Sequence, residues 1–220
     1  MTKIRATVVE RVTAAVIACI AWFALGLQVY LMIAAAPEGS PAVLDRVVNY
    51  FSFFTILTNL LVAVMLTVPL VATKTTWGRF FSSATARAGT TVYIVIVGAT
   101  YSLLLRQLWN PQGAGKVADV LLHDAVPVFY VVYWLIFAPK AGLRWKNALL
   151  WLMYPIAYML YTLVRGVITG WYPYHFIDAG ALGFPRALGN AAGLLLVFFV
   201  VGLLAVAVGR WMSRGQTQYQ

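Results

Sequence analysis

Six stretches of the chain stay apolar for more than twenty residues, at about 11–36, 46–72, 88–109, 117–138, 145–169 and 186–210. Each is long enough to cross a hydrocarbon core of about 30 Å at about 1.5 Å per residue. Short polar connections separate them, so neighbouring runs are expected to lie antiparallel. The pattern predicts an all-α membrane protein, a six-transmembrane-helix bundle that forms a single membrane domain over residues 1–220. The first run ends in AAAP, where Ala34 and Ala36 resemble a signal-peptidase site. That run far exceeds a signal h-region of about 7–15 residues, so it reads as a retained helix.

Polar positions break this pattern at a few places. Within YFSFFTILTNLLVAV, residues 50–64, lie Ser52, Thr55, Thr58 and Asn59. Ser52, Thr55 and Asn59 are spaced i, i+3, i+7, which predicts one shared helix face. Small polar residues also serve as glue between membrane helices, or bond back to their own carbonyls. The fourth run begins DVLLHDAVP. Asp119 and His123 are an i, i+4 pair, Asp124 is adjacent, and Pro127 is expected to kink the helix. A histidine flanked by carboxylates suits general-base work, although a helix start exposed to solvent reads the same way. In the third run Tyr101, Ser102 and Arg106 approach the helix end. In the fifth, Tyr154, Tyr158, Tyr161 and Arg165 form a stripe. Arg165 calls for an acidic partner, a bound anion or a snorkelled position at the interface. Together Arg106 and Arg165 suit a carboxylate-bearing ligand. The connection after the fifth run, RGVITGWYPYHFIDAG, reads as an aromatic turn lying on the membrane surface.

Composition sharpens this picture. Hydrophobic residues make up 62% of the chain, charged residues 10%, and mean hydropathy is +0.84. Such a sequence requires a bilayer as solvent. The net charge of +10 raises the question of nucleic acid. Its placement answers it, because eleven of the 16 Lys and Arg fall at the N-terminus, the 2–3 and 4–5 connections and the C-terminus. The acids follow the opposite trend. This bias predicts both termini in the cytoplasm and the polar residues toward the outer face, with no nucleic acid as partner. The single cysteine, Cys19, excludes an intrachain disulfide and a cysteine metal site. No CxxCH, HExxH, GxGxxG, P-loop or GxSxG motif is present, so no metal or cofactor is expected. A haem between His123 and His175 is a remote alternative. Nothing in the sequence fixes the oligomeric state.

Three segments carry a resemblance: YFSFFTILTNLL, HDAVPVFYVVYWLIFAPK and WLMYPIAYMLYTLVRGVITGWYPYHFID. Over residues 45–180 the chain resembles a bacterial relative of the androgen-induced and androgen-dependent TFPI-regulating transmembrane proteins. The resemblance implies a six-helix intramembrane hydrolase of fatty acid esters of hydroxy fatty acids, in the bacterial inner membrane. It implies a threonine nucleophile at Thr55, with Thr58 as the neighbouring alternative, and a histidine base at His123. A lipid or fatty-acyl ester is then the implied substrate, and the bilayer its source. Asp119 or Asp124 would orient the imidazole. Asn59, a tyrosine hydroxyl such as that of Tyr158, or Arg165 would donate to the oxyanion. The contrasting expectation is a lipid or small-anion binding protein or transporter without covalent chemistry.

Overall fold

The computed structural model describes the backbone of residues 2–34, 42–108 and 110–217, and the side chains of 7–34, 42–108 and 110–214. Ala36, Glu38 and Trp109, and the side chains of Lys3 and Arg5, lie outside the described residues. Within them every regular element is helical, and six helical segments are long and apolar enough to cross a membrane: Thr7–Ala34, Phe54–Val71, Ala84–Leu108, Gly113–Phe137, Lys146–Thr169 and Phe184–Arg214. The chain divides into two compact units, Met1–Pro139 and Lys140–Gln220.

The first unit is built on α1 (Thr2–Ala34), α3 (Phe54–Val71), α5 (Ala84–Thr100) and α7 (Val126–Phe137). They close a ring, with α1 against α3, α3 against α5, α5 against α7, and α7 back on α1. The sequence of α1 shows why it packs so closely. Ala14, Ile17, Ala18, Ala21, Ala24 and Leu25 recur at three- and four-residue steps and are all buried. Small residues on one stripe let helix backbones approach, while Val9, Val12, Val16 and Phe23 are left on the outside for lipid.

The run at 46–72 is not one helix. A short α2 (Val43–Tyr50) ends before α3 begins, and Phe53 between them is extended at φ −82°, ψ 129°. Ser52 closes back on α2, its hydroxyl donating to the Val48 carbonyl at 2.7 Å. Ser52 therefore stands in the break outside α3, so the predicted i, i+3, i+7 spacing does not run along one helix. The Tyr50 hydroxyl donates to the Leu25 carbonyl at 3.0 Å, and burial pushes this phenol upward, keeping it a donor.

At the opposite end of the ring a buried arginine ties three helices. Arg87 of α5 pairs with Glu10 of α1 at 3.2 Å and donates through Nε to the Phe81 carbonyl at 3.3 Å. The Tyr133 hydroxyl of α7 donates to the same Glu10 oxygen at 3.3 Å. The sequence pattern treats Glu10 and Arg87 only as charges that set orientation, and misses that they meet.

The second unit holds α8 (Lys146–Leu150), α9 (Met153–Thr169), α10 (Ala179–Leu182) and α11 (Phe184–Thr217). α9 ends at Gly170, which takes the left-handed conformation at φ +70°. The aromatic turn after it folds back on the helix. A side chain at Gly166 would fall 2.0 Å from the Tyr172 ring, so this glycine makes room for it. Tyr174 stacks on Phe176, and Asn190 of α11 donates to the Phe176 carbonyl at 2.7 Å. α11 meets α8 and the preceding turn at glycines: Gly202 faces Ala148, and Gly209 faces Leu143.

Lys140 begins this unit and is buried, and the loss of water holds its amine below the ordinary lysine range. Its charged form is thus destabilised by folding. That cost is present in full at neutral pH and disappears as pH rises from the lowered folded value toward the unfolded one, about 10.4. Lys140→Met is expected to raise the thermal midpoint of detergent-purified protein at pH 7. The gain should narrow as pH approaches about 10, as differential scanning fluorimetry across that range would show.

Candidate functional site

Two backbone irregularities face the ring at the end where α1 finishes. After α5 the helix widens into a π turn, Tyr101–Leu105, in which the Arg106 N–H reaches the Tyr101 carbonyl. Between α6 (Gly113–Val120) and α7 lies a second, Leu121–Ala125, in which the Val126 N–H reaches the Leu121 carbonyl. Such turns insert an extra residue and re-aim side chains. Pro127 was expected to kink this helix. The π turn just before it is how the chain accommodates a residue without an N–H to offer the His123 carbonyl. Gly98 of α5 lies against this place, where an added Cβ would sit 3.3 Å from the His123 carbonyl oxygen and 3.4 Å from the Pro127 ring.

The second π turn presents His123, whose side chain is 17% exposed. Its Nδ1 is hydrogen-bonded to the Asp119 carbonyl oxygen at 3.0 Å and lies 3.1 Å from Asp119 Oδ1, which closes no hydrogen bond of standard geometry. Nε2 has no partner among the described residues. Asp119 is itself buried, with Lys116 at 3.7 Å. Asp124 turns away to form an ion pair with Arg106, which also donates to Ser102 Oγ at 3.2 Å. The two adjacent acids, equivalent in the sequence, therefore have separate duties. Asp119 meets the histidine and Asp124 gives the arginine a carboxylate partner within the chain.

Tyr101 completes the cluster. Its ring stacks on the His123 imidazole, with centroids 3.7 Å apart and planes 11° from parallel. The Arg106 guanidinium carbon lies 5.0 Å from the same ring centroid. The buried Tyr101 hydroxyl is close to the Asp119 carboxylate without closing a hydrogen bond of standard geometry. Sequence reasoning noted Tyr101 only as a residue near a helix end. The five-residue step from Tyr101 to Arg106, the span of one π turn, was the available signal.

α3 meets this cluster through Asn59. The fully buried Asn59 amide donates from Nδ2 to the Thr55 carbonyl at 2.9 Å and to the Leu122 carbonyl at 3.1 Å. Both partners are acceptors, which fixes the orientation of the amide and uses both of its hydrogens. Asn59 thus has no donor left for an oxyanion, contrary to expectation, and its Oδ1 is an unbonded buried acceptor. Thr55 is the second residue of α3 and Thr58 lies one turn on; Thr55 keeps 8% exposure and Thr58 none. Leu122 is the neighbour of His123, so this bond joins the threonine helix to the histidine turn.

Tyr158 and Arg165 belong to α9 in the second unit. Tyr158 is buried, and Arg165 lies over the Trp171 indole at 4.6 Å. Asp178 caps α10 by accepting from the Gly180 and Ala181 N–H groups. His175 is exposed on a 3-10 turn, edge-on to Phe176. Among the described residues no three His, Cys, Asp or Glu side chains gather as a metal site. In comparisons with known proteins the chain matches no family model, no curated protein and no solved structure.

The separate duties of the two acids make a direct test. The Arg106–Asp124 pair is more than a third exposed on both sides, so solvent screens it. A double-mutant cycle with Arg106→Ala and Asp124→Ala is expected to give a coupling of about 0.5–1 kcal/mol in thermal stability. The matching cycle between Asp124 and His123 should give none.

Proposed function

We propose that the protein is an intramembrane lipid-ester hydrolase, of the type that cleaves fatty acid esters of hydroxy fatty acids, with Thr55 as nucleophile and His123 as base. The observation that carries this reading is an imidazole whose Nδ1 bonds the Asp119 carbonyl and lies 3.1 Å from that residue's buried carboxylate, with Nε2 unpartnered, on a turn bonded to the threonine helix through Asn59. The resemblance of FFTILTN and HDAVP to the threonine and histidine segments of that hydrolase family supports it independently.

A threonine hydroxyl is a weak nucleophile and needs a base to take its proton. In the proposed reaction His123 Nε2 accepts that proton as Thr55 Oγ bonds to the ester carbonyl carbon. The tetrahedral intermediate collapses, the carbon–oxygen bond to the alcohol breaks, and the imidazolium returns the proton to the leaving oxygen. Water, deprotonated by the same nitrogen, then attacks the acyl-threonine; the bond from the acyl carbon to Thr55 Oγ breaks, the imidazolium returns its proton to that oxygen, and the acid leaves. Asp119 fixes the Nδ1–H tautomer and favours the imidazolium. Thr55 lies in the first turn of α3, where the helix dipole is positive, which suits a developing oxyanion. Its residual exposure favours Thr55 over the sealed Thr58. The charge bias supports an orientation with both termini in the cytoplasm and the site toward the outer face, and the resemblance supports the bacterial inner membrane.

One feature favours the non-covalent alternative. Along α9 runs a shallow groove lined by Leu160, Val164 and Ile168 with Arg165 among them, a shape suited to an acyl chain bearing an anionic head.

Fluorophosphonate labelling of purified wild type, Thr55→Ala, Thr58→Ala and His123→Ala, read by mass spectrometry, separates the two. The expected result is an adduct on Thr55, absent in Thr55→Ala, retained in Thr58→Ala, and formed about 10²–10⁴-fold more slowly without His123. Intact wild type that stays unlabelled would move the assignment to binding or transport.

A further inference from the structure

We propose that Tyr101 is a positioning residue for His123: its ring holds the imidazole plane so that Nδ1 stays on Asp119 and Nε2 is left open. The inference deepens the hydrolase reading and rests on it for its catalytic meaning, but its geometry stands alone.

Three observations carry it. First, a centroid separation of 3.7 Å at 11° is full face-to-face contact, closer than the 4.5–7 Å usual for aromatic pairs. Contact of that kind removes the imidazole's freedom to rotate about its last torsion, which is otherwise soft. Secondly, both rings come from π turns, Tyr101 at the start of one and His123 in the middle of the other. An unbroken α-helix at either place would carry its ring to a different bearing. Thirdly, the remaining charge nearby is already committed. Asp124 is paired with Arg106, and Lys116 lies on the Asp119 oxygen that does not face His123. The α1 segment beside this turn, from Val12 to Ala34, carries no Asp, Glu, Lys, Arg or His, and neither does α3. Asp119 is thus the carboxylate that meets the ring, and the Tyr101 face is the surface on which the ring lies. An aromatic face also attracts the cation that forms when the imidazole takes a proton.

The chain has two histidines, so a His175→Gln background leaves a single ring to observe. Full-length protein with ¹⁵N- and ¹³C-labelled histidine in nanodiscs is compared as Tyr101, Tyr101→Phe and Tyr101→Met. With Tyr101 the expected spectrum is that of an Nδ1–H tautomer with unprotonated Nε2. Tyr101→Phe keeps the stack and should retain that signature. Tyr101→Met removes the aromatic face and should give mixed tautomers, with fluorophosphonate labelling slowed by about a hundredfold. A Tyr101→Met protein that keeps the pure Nδ1–H signature overturns the proposal. If that variant does not fold, unsubstituted protein still decides. The His123 ring protons should lie well upfield of those of His175 through the ring current of Tyr101, and coincident shifts overturn the stack. The spectra need no turnover. A wild type that shows the stacked tautomer yet never labels would sink the hydrolase reading while leaving the positioning role in place.

Discussion

In hydrocarbon an unpaired backbone amide or carbonyl has no water to turn to, and each one left so costs several kcal/mol. Regular helix meets that constraint wherever the first unit is merely a wall. Apart from Pro69 near the far end of α3, departures from it gather at one end: the break between α2 and α3, the two π turns, and Pro127. Each comes with a local remedy. Ser52 bonds the Val48 carbonyl at the break, Asn59 bonds the Leu122 carbonyl at the second turn, and both π turns close their own wider rings of hydrogen bonds. The polar side chains of the candidate site are therefore partly scaffold. Thr55, His123 and Asp119 lie among groups whose first task is to keep an irregular backbone satisfied.

The opposite end of the same unit shows a different solution. There the helices are tied through a buried charge, Glu10 receiving both Arg87 and the Tyr133 hydroxyl. One carboxylate engages two helices at once, so α1 is anchored to α5 and α7 near its N-terminal end. The ring is thus bonded firmly at one end by charge and at the other by a network that also holds an open imidazole nitrogen.

The spans, the helical class and the polar face of α3 were legible because they depend on composition and on the period of one helix. Thr55, Thr58, Asn59 and His123 stood out for the same reason: a polar side chain inside an apolar run is conspicuous. What stayed hidden depends on registers that no single helix displays. Ser52 fits the spacing of its neighbours until the chain breaks at Phe53. Asp119 and Asp124 are chemically alike, and only the extra residue of a π turn sends one to His123 and the other to Arg106. Glu10 and Arg87 are 77 residues apart, so each looks like a lone end-of-helix charge. Tyr101 reads as an ordinary interfacial aromatic until the turn brings it over an imidazole.

Gly98 carries a consequence for how this chain can vary. The helix bearing Pro127 presses its His123 carbonyl against a neighbour with no side chain to yield. The proline and the glycine lie on different helices, yet they share one volume. A larger residue at 98 calls for the turn around His123 to retreat, and a residue with an N–H at 127 lets that turn tighten and draw back. The two positions should therefore drift together over evolutionary time, as a linked pair whose members are each acceptable only in the company of the other.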